Sequence, residues 1–255
     1  GIRFLDRKSL IKPNQKINSM YFQILETPDK HIWAAGMEGI LEYNPENDKV
    51  LIHQDSTETE SNAKTFLTQR LILHGEELWF LSHIWGLGKI NIYSKKIDFF
   101  DLEDDISGAN TTATVSFINI SDTTFLISSQ TKGLFIFNIP SKKAKKILLK
   151  DIYPNMSVRL RDVYKDANGK IWVGSMTDGI YILDADLKMI KHLKFFPEKE
   201  FQPLITGFFT DYLDKNKLWI YTNNGAYQTD INTYTFVSKI ESEQSRNSIS
   251  SNNIY

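Results

Sequence analysis

The sequence predicts an all-β chain built from one four-stranded antiparallel sheet repeated along its length, on three observations. A phrase recurs five times, as an apolar run, a small polar link ending in glycine, and a second run. It reads HIWAAGMEGILEYN from His31, ELWFLSHIWGLGKIN from Glu77, TFLISSQTKGLFIFN from Thr124, KIWVGSMTDGIYILD from Lys170 and KLWIYTNNGAYQTD from Lys217. The aromatic residues Trp33, Trp79, Phe125, Trp172 and Trp219 lie 46, 46, 47 and 47 residues apart. The glycines Gly39, Gly86, Gly133, Gly179 and Gly225 lie 47, 47, 46 and 46 apart. Two residue types holding one period over most of the chain mark internal repeats, and repeats decide the fold before any local pattern does.

The unit around Trp172 shows the elements in order. Ser157 to Asp166 (SVRLRDVYKD) mixes polar and apolar β-formers and reads as a first strand. DANGK, residues 166–170, is a turn, because Asn168-Gly169 suits a tight hairpin with positive φ. IWVGS, 171–175, is a short apolar strand; MTDG turns the chain, and IYILD, 180–184, is a third strand. ADLK turns it again, and MIKHLKFF, 189–196, alternates and closes the unit. One window is ambiguous. Asn62 to Trp79 places Phe66, Leu67, Arg70 and Leu71 at helical spacing, but its counterparts in the other units read as strand, turn and strand, so the same is expected here.

A four-stranded unit of this length, repeated five times, predicts a β-propeller. An isolated meander cannot cover both of its faces, whereas stacked blades bury each sheet between two neighbours. The runs IWV and IYIL lack clean alternation, as strands covered on both faces should. The repeat aromatic is then the large packing element between blades. The repeat glycine opens the third strand, where a positive φ or a close backbone approach is expected. The predicted blades are 15–60, 61–107, 108–154, 155–200 and 201–246. Residues 1–14 read as the end of a preceding blade, since GIRFLD matches GIYILD, and 247–255 as the start of the next. A seven-bladed ring of this period needs about 320 residues. The segment is therefore expected to be part of such a ring in a longer protein, or else its split ends combine into a defective sixth blade.

Bulk properties narrow the function classes. With 30 basic and 31 acidic residues the chain carries a net charge of −1, which argues against nucleic-acid binding by bulk attraction. The absence of cysteine excludes disulfides and thiolate metal sites and leaves the redox compartment open. No run approaches the roughly 20 apolar residues that span a bilayer. The N-terminus GIRFLDRKSL lacks the apolar core of a signal peptide, so targeting segments are expected outside this piece.

The pattern Asp166, Gly169, Ile171, Trp172, Val173, Gly174, Ser175, Gly179 and Ile180, followed by an aliphatic strand, resembles the two-component regulator propeller repeat. The tail NSISSNNIY resembles the lead-in of the same repeat. The resemblance covers essentially the whole chain, with departures. Phe125 replaces Trp in the third unit, IYTNNG replaces VGSMTDG in the fifth, and the second has an additional Trp85 beside His83. What the resemblance implies is a periplasmic sensor region of a hybrid two-component system of Bacteroidetes type. Such regions hold further propeller blades and a downstream β-sandwich, sit in an inner-membrane protein with a histidine kinase, and often sense glycan fragments.

Catalytic and metal chemistry find little support in the residues. His31, His53, His74, His83 and His192 show no zinc-protease spacing, and His31 and His74 read as surface histidines near turns. DANG has the opening of a calcium loop without its later ligands, and reads as a turn. SKKAKK, 141–146, reads as a solvated charged turn and the start of a fourth strand. No cofactor, metal or catalytic residue is expected.

Geometry supplies the candidate site. In a meander, the links between second and third strands share one end of the sheet with the blade-to-blade connections. That rim carries Ala34–Glu38, Leu81–Trp85, Ser128–Lys132, Gly174–Asp178 and Tyr221–Asn224. Function on such scaffolds sits on loops held by a rigid frame. Trp85 breaks the repeat; it either stacks on a sugar ring, with His83 beside it, or fills a gap between blades. Glu38, Gln130, Lys132, Asp178, Asn223 and Asn224 are its polar companions for orienting a ligand. A ligand-sensing module responding to an oligosaccharide is the leading expectation. A scaffold that dimerises or contacts proteins is the alternative. A propeller lyase or glycosidase ranks last, for want of converging carboxylates.

Overall fold

Short apolar strands separated by tight polar turns have only their sequence neighbours to pair with, and the chain folds accordingly. A computed structural model describes residues 21–37, 39–53, 68–82, 86–100, 102, 114–147, 157, 159–200 and 202–240. The flanking pieces 1–14 and 247–255 lie outside the described residues. Twenty strands form five four-stranded antiparallel sheets, each in simple meander order.

The chain divides into two compact units, 1–101 and 102–255. In the first unit, sheet 1 contains β1 (Tyr21–Glu26), β2 (Ile32–Gly36), β3 (Gly39–Asn44) and β4 (Lys49–His53). Sheet 2 contains β5 (Thr68–His74), β6 (Glu77–Ser82), β7 (Gly86–Asn91) and β8 (Ile97–Phe100). The segment ambiguous between helix and strand is thus strand, turn and strand where it is described. In the second unit, sheet 3 contains β9 (Thr114–Ser121), β10 (Thr124–Ser129), β11 (Gly133–Asn138) and β12 (Lys143–Ile147). Sheet 4 contains β13 (Leu160–Lys165), β14 (Ile171–Ser175), β15 (Ile180–Leu183) and β16 (Met189–Leu193). Sheet 5 contains β17 (Ile205–Thr210), β18 (Lys217–Thr222), β19 (Gly225–Asp230) and β20 (Thr235–Ile240).

Sheet 4 shows why its strands lack an apolar–polar alternation. Ile171, Val173, Tyr181 and Leu183 face one way and pack with Leu126 and Leu134 of sheet 3. Trp172, Ile180 and Ile182 face the other way and pack with Ile205, Phe208, Leu218 and Ile220 of sheet 5. Both faces are core, so both registers of the strand must be apolar. In the first unit Trp33 takes the same role, packing with Leu71, Leu78, Phe80 and Ile90 of sheet 2. Trp33, Trp79 and Trp172 are buried and Trp219 is half-buried, each three residues before the end of its strand. In sheet 3 that position is the buried Leu126; Phe125, which the sequence suggested there, lies one residue earlier and is buried on the opposite face.

Successive sheets approach each other most closely at their first strands, β1 with β5, β9 with β13, and β13 with β17. There the apolar packing is supplemented by polar clamps. The carboxamide of Gln23 donates to the Leu71 carbonyl at 3.0 Å and accepts from the Leu71 N–H at 2.9 Å. In the second unit the buried carboxylate of Asp162 spans three sheets. It accepts the Ser116 hydroxyl at 2.5 Å, its neighbour Val163 N–H at 2.9 Å, and the Phe208 N–H at 3.1 Å. A carboxylate saturated by hydrogen bonds is tolerable where an unpaired one is not.

Two glycines explain their place in the repeat. Gly179 has φ +81, and a Cβ on it would lie 2.5 Å from the Leu193 carbonyl oxygen. All five repeat glycines have positive φ. Gly174 marks a close approach, since a Cβ there would lie 2.6 Å from Ile205.

These contacts set expected stabilities. Trp172→Ala is expected to cost about 3–5 kcal/mol in urea unfolding; an unchanged midpoint would refute its role between sheets. Gly179→Ala is expected to destabilise more than Gly133→Ala. Both carry the φ penalty of about 1–3 kcal/mol, but a Cβ at Gly133 meets nothing within 4 Å. Asp162→Ala strands a buried N–H and is expected to cost a further ~1–3 kcal/mol, read as a lowered Tm.

Candidate functional site

The rim is made by the links between second and third strands, and a hydroxyl shapes each described link of the second unit. Ser129 Oγ accepts the N–H of Thr131 at 3.2 Å and of Lys132 at 3.1 Å. Ser175 Oγ accepts those of Thr177 at 3.3 Å and Asp178 at 2.5 Å. Thr222 Oγ1 accepts that of Asn224 at 2.9 Å and donates to the Gly225 carbonyl at 2.8 Å. Each hydroxyl residue is the last of its strand and is fully buried. The links are 130–132, 176–179 and 223–224; that of sheet 4 is the MTDG turn the sequence suggests, and β10 and β18 run to Ser129 and Thr222. Backbone bonds then tie two of these links to the lead-in of the same sheet, Met176 N–H to the Arg159 carbonyl at 2.8 Å and Asn223 N–H to the Leu204 carbonyl at 3.2 Å.

The polar rim residues have distinct surroundings. Asp178 accepts a hydrogen bond from the Tyr181 hydroxyl, which itself accepts the Ser157 N–H at 2.8 Å. Burial, then the Asp178 contact, pushes the Tyr181 phenol well above its ordinary value. His192 stacks on Tyr181 with centroids 4.6 Å apart, and its Nε2 donates to the Asp178 carbonyl at 2.6 Å. Lys194 Nζ lies 3.6 Å from the Asp178 carboxylate. Asn223 accepts the Leu204 N–H at 3.0 Å, and the Asn224 carboxamide lies 3.4 Å from the Tyr227 hydroxyl. Gln130 and Lys132 are half-buried on the link of sheet 3. Glu38, His83 and Trp85 lie outside the described residues. The three links of the second unit occupy the same end of successive sheets. Arg161, which sequence reasoning missed, joins them from a bulge at the rim end of β13. Burial lowers its guanidinium pKa from the ordinary value, and the adjacent Asp162 carboxylate opposes that shift.

At the opposite end, the residue that resembled a calcium ligand has a different task. Asp166 Oδ1 accepts the N–H groups of Asn168 and Lys170, both at 2.9 Å, and Oδ2 accepts the Trp172 indole N–H at 2.7 Å. Asp211 repeats this with the N–H groups of Leu213 and Asp214 and with the Trp219 indole at 2.8 Å. The Leu213 N–H bond is the largest of the effects that hold Asp211 below the ordinary carboxylate range. Thr27 accepts the Trp33 indole at 3.0 Å. These side chains fasten the repeat aromatic to its turn, and among the described residues no three acidic or histidine side chains are placed to hold a metal ion.

The first unit holds a polar cluster that sequence reasoning missed. Glu42, 2 % exposed, receives His31 Nδ1 at 2.5 Å, His53 Nε2 at 2.7 Å and the ammonium of Lys95 from sheet 2. His53 also stacks on Trp33 at 5.2 Å, and Lys95 lies 4.7 Å over the same indole. His31 is therefore a half-buried partner of a carboxylate, where the sequence suggested a surface histidine. Burial alone would raise the Glu42 carboxyl. The bonds from His53, Lys95 and His31, with the Lys95 charge, outweigh it and hold the pKa at about 2.

Because the Glu42 pKa is depressed on folding, its stabilisation is full above the unfolded value of 4.5 and is lost as pH falls towards 2. Glu42→Gln is expected to flatten the pH dependence of Tm across that window; an identical slope in the variant would overturn the assignment. Asp166→Ala is expected to cost about 1–3 kcal/mol, with a red shift in tryptophan emission as the Trp172 turn loosens.

The two component regulator propeller model matches residues 152–177. No curated protein matches the chain. Among solved structures, the chain is similar to the extracellular domain described as that of a hybrid two component system of B. thetaiotaomicron, with TM-score 0.70 and 19% identity over 96% of this chain and 32% of that one. It is also similar to an extracellular domain described as that of a one component system from the same organism, with TM-score 0.72 and 20% identity over 96% and 31%. A third is PorZ, a surface component of the type-IX secretion system of Porphyromonas gingivalis, with TM-score 0.67 and 16% identity over 91% and 35%. The chain spans about a third of the length of these structures. Residues 152–177 are thus a two component regulator propeller repeat, and the five sheets of the chain carry the β-propeller fold.

Proposed function

We propose that the chain is the ligand-sensing propeller module of an extracellular or periplasmic sensor, responding to an oligosaccharide at its rim and signalling to a histidine kinase of the same inner-membrane protein. The observation that carries this reading is the regulator propeller repeat at 152–177, in a fold shared with extracellular domains described for such systems. The rim supports it chemically. Hydroxyl staples and backbone bonds preorganise its links, and preorganised polar groups orient a ligand at low entropic cost. On the second unit Gln130, Lys132 and Arg161 offer hydrogen-bond donors, with Asp178, Asn223 and Asn224 as companions. On the sequence argument alone, Trp85 is the stacking residue of the first unit, with His83 and Glu38 as its polar partners.

A second reading, a protein-contact scaffold or homodimer, has its own observation. The β17–β18 hairpin separates Asp211 from Trp219 by eight residues, where Asp166 and Trp172 are separated by six. Its tip exposes Tyr212 and Leu213, each at 91 %. The bonds from Asp211 to the Leu213 and Asp214 N–H groups fix that tip. An exposed, rigid apolar pair suits a protein contact.

The test is a titration of the chain against a panel of neutral oligosaccharides by calorimetry. Saturable binding is expected, weakened at least tenfold by Trp85→Ala with Tm kept within about 2 °C, because one stacked ring carries much of a small interface. Binding by no sugar would defeat the saccharide reading, and unfolding of the variant would reassign Trp85 to the core. For the second reading, Tyr212→Ser with Leu213→Ser is expected to lower the mass measured by light scattering; an unchanged mass removes that hairpin from any contact.

A further inference from the structure

We infer that the outer edge of sheet 3 is a docking strip for a linear acidic polysaccharide, separate from the rim. Between Asp122 and Asp151 the chain has no acidic residue and six lysines, in a protein whose overall charge is −1. Four of the six, Lys142, Lys143, Lys145 and Lys146, lie on β12 or the turn before it, and all four are exposed. Among the described residues no ion pair involves Lys143, Lys145 or Lys146.

The other outer strands do not share this composition. β4 carries one lysine, Lys49, and β20 carries Lys239. β8 carries Asp98, which pairs with Lys96 at 3.2 Å. β16 carries Lys191, whose Nζ lies 3.5 Å from the Tyr234 carbonyl. A single lysine suffices to protect a sheet edge from pairing with another strand. A run of four like charges costs mutual repulsion that edge protection alone does not require.

The placement of the charges selects the partner. Lys143 and Lys145 pair across the ladder with Asn138 and Ile136 on one face, and Lys146 pairs with Phe135 on the other. The ammonium groups therefore straddle the edge along about 10 Å of strand. A linear polyanion running along that edge meets charge from both sides. A flat anionic membrane meets only one side of such an edge. An acidic peptide holds its carboxylates on flexible side chains that must be ordered on binding, whereas a uronate chain carries them fixed to its rings.

The test uses the whole chain and fluorescein-labelled polygalacturonate, read by anisotropy at 50 and 200 mM NaCl. Binding is expected at low salt and is expected to fall with salt, as contacts between exposed charges do. Lys143→Gln, Lys145→Gln and Lys146→Gln together are expected to weaken it at least tenfold while leaving Tm and any binding of neutral oligosaccharide unchanged. Equal affinity of the triple variant would overturn the proposal. So would equal binding of neutral dextran, or binding of phosphatidylglycerol vesicles or polyglutamate in place of polygalacturonate. Because neutral-sugar binding is read in the same protein, failure of this strip and failure of the rim reading are distinguishable.

Discussion

The structure depends on one large side chain held in two ways. In four of the five sheets the second strand projects a tryptophan three residues before its end, and Trp33 and Trp172 show that ring packed against the next sheet; in sheet 3 the same position is Leu126, which packs against sheet 4. The ring contributes apolar area, and its N–H demands an acceptor in a place where water is excluded. Thr27 and Asp166 supply that acceptor from the turn that precedes the strand. The packing between sheets and the turn within a sheet are thus joined through the indole, which explains why Asp and Trp keep their spacing in the best-matched repeat.

Given that ring, the residue opposite it on the third strand must be accommodated, and each sheet solves the problem differently. Register places Glu42 opposite Trp33, Lys89 opposite Trp79, Ile182 opposite Trp172 and Gln228 opposite Trp219, and in sheet 3 Ile136 opposite Leu126. Ile182 and Ile136 extend the apolar layer. Glu42 brings two imidazoles and an ammonium with it. Lys89 pairs with Glu77 at 3.0 Å, and Gln228 donates to Asp211 at 2.6 Å. Each buried polar choice carries its partners on neighbouring strands, as burial requires. The repeat therefore tolerates degeneration at this position as long as the charge and hydrogen-bond count close locally.

The rim follows from the same economy. Its links are short because a buried Ser or Thr turns them, and several of its polar side chains hold neighbouring backbone or side chains. Such a frame is stiff, and Arg161 at the bulge of β13 and Gln130 and Lys132 on the link of sheet 3 lie at the same end. The charged outer strand of sheet 3 is a second departure, with Lys142, Lys143, Lys145 and Lys146 exposed.

By itself the sequence determined the repeat, the meander and the apolar character of both sheet faces, because these depend on residue type at fixed spacing and on turns closed by nearby residues. Gly169 and the five repeat glycines announced positive φ in the same local way. What only tertiary structure decided are contacts between residues about one repeat or more apart. Asp162 looked like one polar residue of a first strand, and it reaches Ser116 and Phe208, each 46 residues away. Glu42 and Lys95 are 53 residues apart, and no motif or spacing links them. His31 and His53 each lie 11 residues from Glu42, and neither showed a spacing that points to it. That the three described links of the second unit share one end was legible, since a meander sends alternate links to one end. Whether each side chain faces outward or is tied to a neighbour was not, because that depends on which backbone groups the next sheet and lead-in leave unpaired.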